Sequence, residues 1–304
     1  MRFIPRKFNI EYSANFNSIQ NNHNLKIWMV KPQSSVYQKL EEFKVSERPS
    51  SCYEERNANK ILYFDFKKIN NLNFKIKMKV VLKNNELEFD KKITNATKNV
   101  RQLKNYVKSE KFLEQTDKIK KLTEKITQKE KFIPDKIIAI TKFLKSNFEY
   151  VYPIKKRGVK NLNLKNLKGD CGEVGALFVT MCRTLGIPAI NNTGYIIYFD
   201  ELNNIYEHGW TSIYLNEIGW LQIDPLAENI KKSKSKYIYE QKNYLLTLTC
   251  GFNVKLSPQI PEGYNIKYWN KLGLPLTQNS VQVLQPIVFS SEKKIEFKDS
   301  IRLI

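Results

Sequence analysis

The stretch Gly169-Asp170-Cys171-Gly172-Glu173-Val174-Gly175-Ala176-Leu177-Phe178 runs on through Met181, Leu185 and Gly186 to Ile187-Pro188. It places a cysteine on the first turn of a buried helix. Asp170 is a good N-cap residue, and Glu173 three positions on has the capping-box spacing. Val174, Leu177, Phe178, Met181 and Leu185 then recur at helical intervals, and Gly186 followed by Pro188 closes the helix. Cys171 therefore falls at the first helical position, where unpaired N–H groups and the helix dipole favour a thiolate. The same N–H groups could hold a developing oxyanion.

Such a thiol needs a base, and the chain offers only two histidines. His23 lies in the Asn-rich run Gln20-Asn21-Asn22-His23-Asn24 and reads as a loop residue without chemistry. His208 opens His208-Gly209-Trp210-Thr211-Ser212-Ile213-Tyr214-Leu215, which is strand-like in composition and alternation. A second strand follows as Gly219-Trp220-Leu221-Gln222-Ile223-Asp224-Pro225. A hairpin centred on Asn216 sets His208 directly opposite Asp224, with Cβ atoms about 5 Å apart on one face. From there a carboxylate can fix the imidazole tautomer and leave the second nitrogen to a thiol.

These residues carry a resemblance. Gly169-Asp170-Cys171-Gly172-Glu173, Leu177-Phe178, Cys182-Arg183, Leu185-Gly186-Ile187-Pro188-Ala189 and Gly194-Tyr195 resemble the nucleophile segment of the transglutaminase-like superfamily. His208-Gly209-Trp210 through Tyr214 is similar to its histidine strand, and Gly219-Trp220 through Asp224-Pro225 to its aspartate strand. The match covers Ile133 to Pro225, with three motifs in order at separations of 37 and 16 residues. It departs at Gly209, where the family commonly has a larger apolar residue, and at Thr211-Ser212, which replace a β-branched and acidic pair. The resemblance implies an α+β fold: a papain/transglutaminase-like core, its nucleophile helix packed on an antiparallel sheet, preceded by a small all-β domain. It also implies acyl transfer on protein or peptide amides through Cys171, His208 and Asp224 and a thioester. The thioester is resolved by water in a cysteine protease or amidase, or by an amine in a cross-linking acyltransferase. Asn147, Tyr150 and Tyr152 are candidates for a second oxyanion donor. An enzyme removing N-glycans shares the Gly-x-Cys-Gly-Glu character, but its paired Cys-x-x-Cys clamp is missing here. A scaffold module that kept only the fold would normally have lost one of the three groups.

Composition bounds the partners. The chain of 304 residues has room for more than one core, and its formal net charge is +21. That charge suits an acidic partner or surface. Only 8 of the 51 basic residues are arginine, however, and no nucleic-acid motif appears. No run approaches the roughly 18 apolar residues of a membrane span. The N-terminus shows no apolar core of signal-peptide length, so a soluble, cytoplasmic protein is expected. The four cysteines, Cys52, Cys171, Cys182 and Cys250, lack metal-ligand or disulfide-framework spacing. No calcium-loop motif is visible either, so neither cofactor nor metal is expected.

Four regions follow. Residues 1–95 read as an N-terminal β domain, with strands at 25–30, 60–66 and 74–82. Residues 96–132 read as a Lys-rich amphipathic helical linker in which Val100, Leu103 and Val107, then Ile119, Leu122 and Ile126, mark the apolar faces. Residues 133–235 form the catalytic core. Its first helix starts at Pro134-Asp135 and turns Ile137, Ile138, Phe143 and Leu144 inward, and its end, Lys231 to Lys236, reads as an exposed loop. Residues 236–304 form a β-rich C-terminal extension in which four prolines argue against a long helix.

Overall fold

The structure, a computed structural model, describes residues 5–18, 22–90, 93–94, 101–154, 156–198, 204–216, 218–233, 236–241, 244–264 and 276–304. It mixes helix and sheet, and strands predominate; three α-helices occur among the described residues. The chain divides into two compact units. One comprises Met1–Asn84, Thr193–Glu207 and Lys242–Ile304, the other Asn85–Asn192 and His208–Gln241.

Among its described residues the first unit contains strands and no α-helix. Its strands are β1 (Arg6–Ser18), β2 (His23–Lys31), β3 (Gln38–Val45), β4 (Ser51–Glu54), β5 (Lys60–Ile69) and β6 (Asn71–Leu82). Strict alternation sets β6: Phe74, Ile76, Met78 and Val80 are buried, while Lys75 and Lys77 face solvent. Two four-stranded sheets result, and each recruits a strand from the far end of the chain. Ile295–Leu303 pairs with β1, Ile10 opposite Leu303, and Ile287–Ser291 pairs with β2, Ile27 opposite Phe289. Aromatic rings join the sheets, with Phe16 edge-on to Phe289 at 4.9 Å and Phe64 to Phe74 at 5.0 Å. His23, expected in a loop, is instead fully buried at the start of β2, and burial holds its imidazole below its usual range.

The second unit is built around one helix. Its elements are β7 (Asn85–Asp90), α1 (Asp117–Thr127), α2 (Ile133–Asn147), β8 (Phe148–Tyr150), β9 (Leu167–Gly169) and α3 (Cys171–Thr184). The strands β10 (Ala189–Ile197), β11 (Ile205–Leu215), β12 (Gly219–Ile223), β13 (Ile230–Lys232) and β14 (Lys236–Gln241) follow. Two of these, β10 and β11, enter the unit only through residues 189–192 and 208–215. Every residue of α3 from Glu173 to Arg183 is buried, as the apolar run predicts. At one end Asp170 caps the helix. At the other, Arg183 donates to the carbonyls of Ala189 and Lys108 and to Glu110. A Cβ at Gly175 would sit 2.8 Å from Asn191 Nδ2, so a larger residue here would make the Asn191 amide shift.

Some local readings change. The segment Arg101–Val107 is a 3-10 helix rather than an α-helix, and Val100 lies outside the described residues. In α1 the buried stripe includes Thr123 and Thr127, whose hydroxyls donate to the carbonyls four residues back and so can enter the core. Leu122 and Ile126 are only half-buried, as are Ile138 and Phe143 of α2, where Ile140 and Thr141 are buried instead. Of the expected loop Lys231 to Lys236, Lys231 and Lys232 are exposed residues of β13 and Lys236 opens β14, which pairs with it, while Lys234 and Ser235 lie outside the described residues.

Candidate active site

Cys171, His208 and Asp224 all lie in the second unit, and the structure brings them together. Cys171 is the first residue of α3 and half-buried. The Asp170 carboxylate accepts the Gly172 N–H at 2.9 Å, while its backbone carbonyl accepts the N–H groups of Glu173 and Val174 at 3.1 Å. Glu173 is engaged differently from the capping box expected of it: its carboxyl is gripped by Arg157 and the Gly158 N–H.

His208 Nε2 lies 2.9 Å from Asp224 Oδ2, with both side chains 16 % exposed. The hairpin that carries them has a different register from the one expected. Thr211 pairs with Ile223 and Leu215 with Gly219, so the hairpin is centred two residues' worth of pairing away, and Asp224 faces the level of Trp210. Gly219, at φ +96°, opens β12 opposite Leu215 in the left-handed conformation that glycine adopts freely. A shift of two preserves side-chain parity, which is why His208 and Asp224 still share a face and meet along the diagonal. Around them, Trp210 is fully buried and stacks beneath the imidazole at 6.0 Å, and Thr211 donates to the Ile223 carbonyl at 2.7 Å.

The Cys171 sulfur is the second group that acts on the imidazole. With Nε2 committed to Asp224, Nδ1 is the nitrogen left for the sulfur. Burial alone would depress the His208 pKa; bonds to Asp224 and then to Cys171 overcome it and raise the group to about 10. The arrangement therefore favours a protonated imidazole, with Asp224 on one side and Cys171 on the other. Asp224 is in turn held from behind. Its N–H donates to Asn229 Oδ1 at 2.8 Å, its Oδ1 accepts the Leu226 N–H at 3.0 Å, and Asn229 Nδ2 donates to the Glu240 carbonyl at 2.9 Å.

The three donors considered near the thiol separate. Asn147 spends its amide on the Phe143 carbonyl at 2.8 Å. Tyr150 sits opposite Gly169 in the β8–β9 pair; burial chiefly, and then the charges of Cys171 and Asp170, raise its phenol. Tyr152 is 49 % exposed. A Cβ at Gly209 would lie 3.7 Å from Cys171 Sγ, an ordinary contact, so the unusual glycine after His208 leaves space beside the sulfur.

Two residues of this site escaped the sequence reading. Arg157 stands in Lys155-Lys156-Arg157, one arginine among lysines, and only its type set it apart. Asn229, five residues past Asp224, carries no local signal. Among the described residues no cluster of His, Cys, Asp and Glu could hold a metal ion.

Residues 120–225, which contain all three groups, match the family model of the transglutaminase-like superfamily. That stretch is similar to a transglutaminase-like core. The whole chain resembles in fold a candidate cysteine protease from Cytophaga hutchinsonii, at TM-score 0.58 and 13% identity, with 99% of this chain and 91% of that one covered. The periplasmic domain of TgpA from Pseudomonas aeruginosa, bound to ethylmercury, aligns at TM-score 0.37 and 13% identity over 72% of this chain and 90% of its own. No curated protein matches the chain. Among the described residues no helix is long and apolar enough to cross a membrane.

Proposed function

We propose that this protein is a thiol-dependent acyl-transfer enzyme acting on protein or peptide amides, with Cys171 as nucleophile, His208 as general base and acid, and Asp224 as the group that orients it. The observation carrying this reading is the 2.9 Å contact of Asp224 with one ring nitrogen of His208, on an imidazole whose pKa is raised by Asp224 and then by Cys171. The proton of Cys171 rests on His208, whose raised pKa keeps it there, and the sulfur attacks the amide carbonyl, forming a C–S bond as the carbonyl π pair moves onto oxygen. The Gly172 N–H is spent on the Asp170 side chain, so the Cys171 N–H is the donor assigned to the oxyanion. Collapse of the tetrahedral intermediate expels the amine, which takes the imidazolium proton. Water, deprotonated by His208, then hydrolyses the thioester and restores the thiol.

Hydrolysis is preferred over transfer to an amine because the site is open on one side. Cys171 is half-buried, and Tyr150 beside it is 62 % exposed, which leaves the thioester within reach of water. Incubation with a casein mixture, with and without a labelled primary amine, tests both levels. Peptide fragments or ammonia without label support the hydrolase, and label in casein supports the acyltransferase. None of these products, from protein whose Cys171 reacts with iodoacetamide no faster than its other thiols, overturns the proposal.

A further inference from the structure

We infer that Arg157 is a positioning residue for Cys171: it gathers the two carboxyl groups flanking the thiol into one buried cluster and so sets the charge that the sulfur faces. The inference rests on the triad reading above. A single guanidinium nitrogen, Nη1, donates to Asp170 Oδ1 at 2.7 Å, Asp170 Oδ2 at 2.6 Å and Glu173 Oε2 at 2.5 Å. The three side chains are 3 %, 7 % and 0 % exposed. The Gly158 N–H donates to Glu173 Oε1 at 3.4 Å, and Asn161 donates to the Arg157 carbonyl at 2.7 Å, so the loop is fastened to its own arginine. A Cβ at Gly169 would come 2.7 Å from the Glu173 Cβ, so the strand before the nucleophile presses on the cluster too. The chain of restraint runs from Arg157 to the N-cap carboxylate, and from the N-cap to the turn that carries Cys171.

The charges do not cancel. Two carboxylates against one guanidinium would leave a surplus anion in a site with almost no water, which is costly. A retained proton removes that surplus: burial, and then the bond to Asp170, raise the Glu173 carboxyl to about 8. Tyr150 and Tyr152 face this region from the segment after α2, His208 from β11, and Asp224 from the end of β12; Lys168 is spent on Glu149 at 2.6 Å on the surface. Near neutral pH the cluster is thus balanced, one cation against one anion, one residue away from the thiol. Losing the cation would set a net negative charge there and disfavour the thiolate.

The test is the pH dependence of Cys171 alkylation by iodoacetamide, mapped by mass spectrometry on the full chain in a Cys52→Ser background. Arg157→Gln is expected to move the midpoint of the profile up by about one pH unit, the effect of one nearby charge. Adding Asp170→Asn, which keeps an N-cap side chain but removes the surplus anion, is expected to bring the midpoint back. A loop staple with no electrostatic role would lower stability without that rescue. Where Arg157→Gln does not fold, the converse pair serves: Asp170→Asn with Glu173→Gln leaves the cation unbalanced and moves the midpoint down. An unmoved midpoint in folded Arg157→Gln, an upward shift that Asp170→Asn does not relieve, or an unmoved midpoint in the converse pair overturns the inference. Absence of preferential Cys171 alkylation in the otherwise unaltered chain would instead overturn the triad reading.

Discussion

Both ends of α3 are held by a buried arginine, and the two arrangements are opposites. At the C-terminal end Arg183, 2 % exposed, meets one carboxylate, Glu110, and two backbone carbonyls. A cation there agrees with the helix dipole, so the arrangement is self-consistent and stabilising. At the N-terminal end the dipole already favours the Asp170 carboxylate, and Arg157 is placed against it. The extra cation is needed because two acids have been buried next to a cysteine. One end of the helix secures the fold; the other, on the inference drawn above, sets the charge beside Cys171.

That contrast can be broken by substitutions, taken from the largest effect to the smallest. His208→Ala removes the imidazole from the reactive end, and selective alkylation of Cys171 at pH 6 should fall by at least about 100-fold, the usual worth of a positioned acid–base group. Rate measurement on folded protein checks it. Arg183→Met acts on the other end, leaving Glu110 and two carbonyls without their buried cation. It should destabilise the chain by about 3 kcal/mol in urea unfolding, the low end for breaking such a pair, because Glu110 retains partial contact with water. The pH midpoint of Cys171 alkylation should stay in place. A midpoint that moved with Arg183 would erase the distinction between the ends.

Asp224→Asn sharpens the electrostatic side. The His208 group lies above its ordinary 6.5, at about 10, so its contribution to stability is complete below pH 6.5 and is lost as pH rises through about 10. Removing the Asp224 charge should lower the imidazole titration seen by NMR and narrow that alkaline window from above. Gly209→Ala is the mildest change. The new methyl meets the sulfur at 3.7 Å without overlap, so alkylation by small iodoacetamide should change by no more than about threefold, within the range of a tolerated substitution. Bulky maleimides should be slowed more, since the added carbon covers the sulfur on that side.

What could be seen in the sequence follows from how local each signal is. The cap at Asp170, the apolar run of α3 and the strand residues around His208 are encoded within a few positions, and the structure places them accordingly. The meeting of His208 with Asp224 was also anticipated, though by a pairing two residues out. The error came from the turn: the reading centred it on Asn216, whereas Leu215 pairs with Gly219 and the centre lies one residue later. Parity rescued the conclusion, because a shift of one residue would have separated the side chains. Long-range partners were not legible. Nothing near Arg157 announces two acids 13 and 16 positions later, and nothing near Asp224 announces that Asn229 will hold its backbone. The pairing of the chain's last strand with its first is of the same kind. His23 was misplaced because a polar neighbourhood in sequence says little about a residue whose neighbours across the sheet are apolar.

The central claim is that Cys171 is an activated nucleophile and not merely one thiol of four. The direct measurement is site-resolved iodoacetamide labelling at pH 6. Cys52 is the exposed cysteine, whereas burial pushes Cys182 far up and Cys250 up to about 11. If exposure alone governed reactivity, Cys52 would label first, and that order would contradict the account. Labelling of Cys171 well ahead of Cys52, with the lead lost in His208→Ala, is the predicted result.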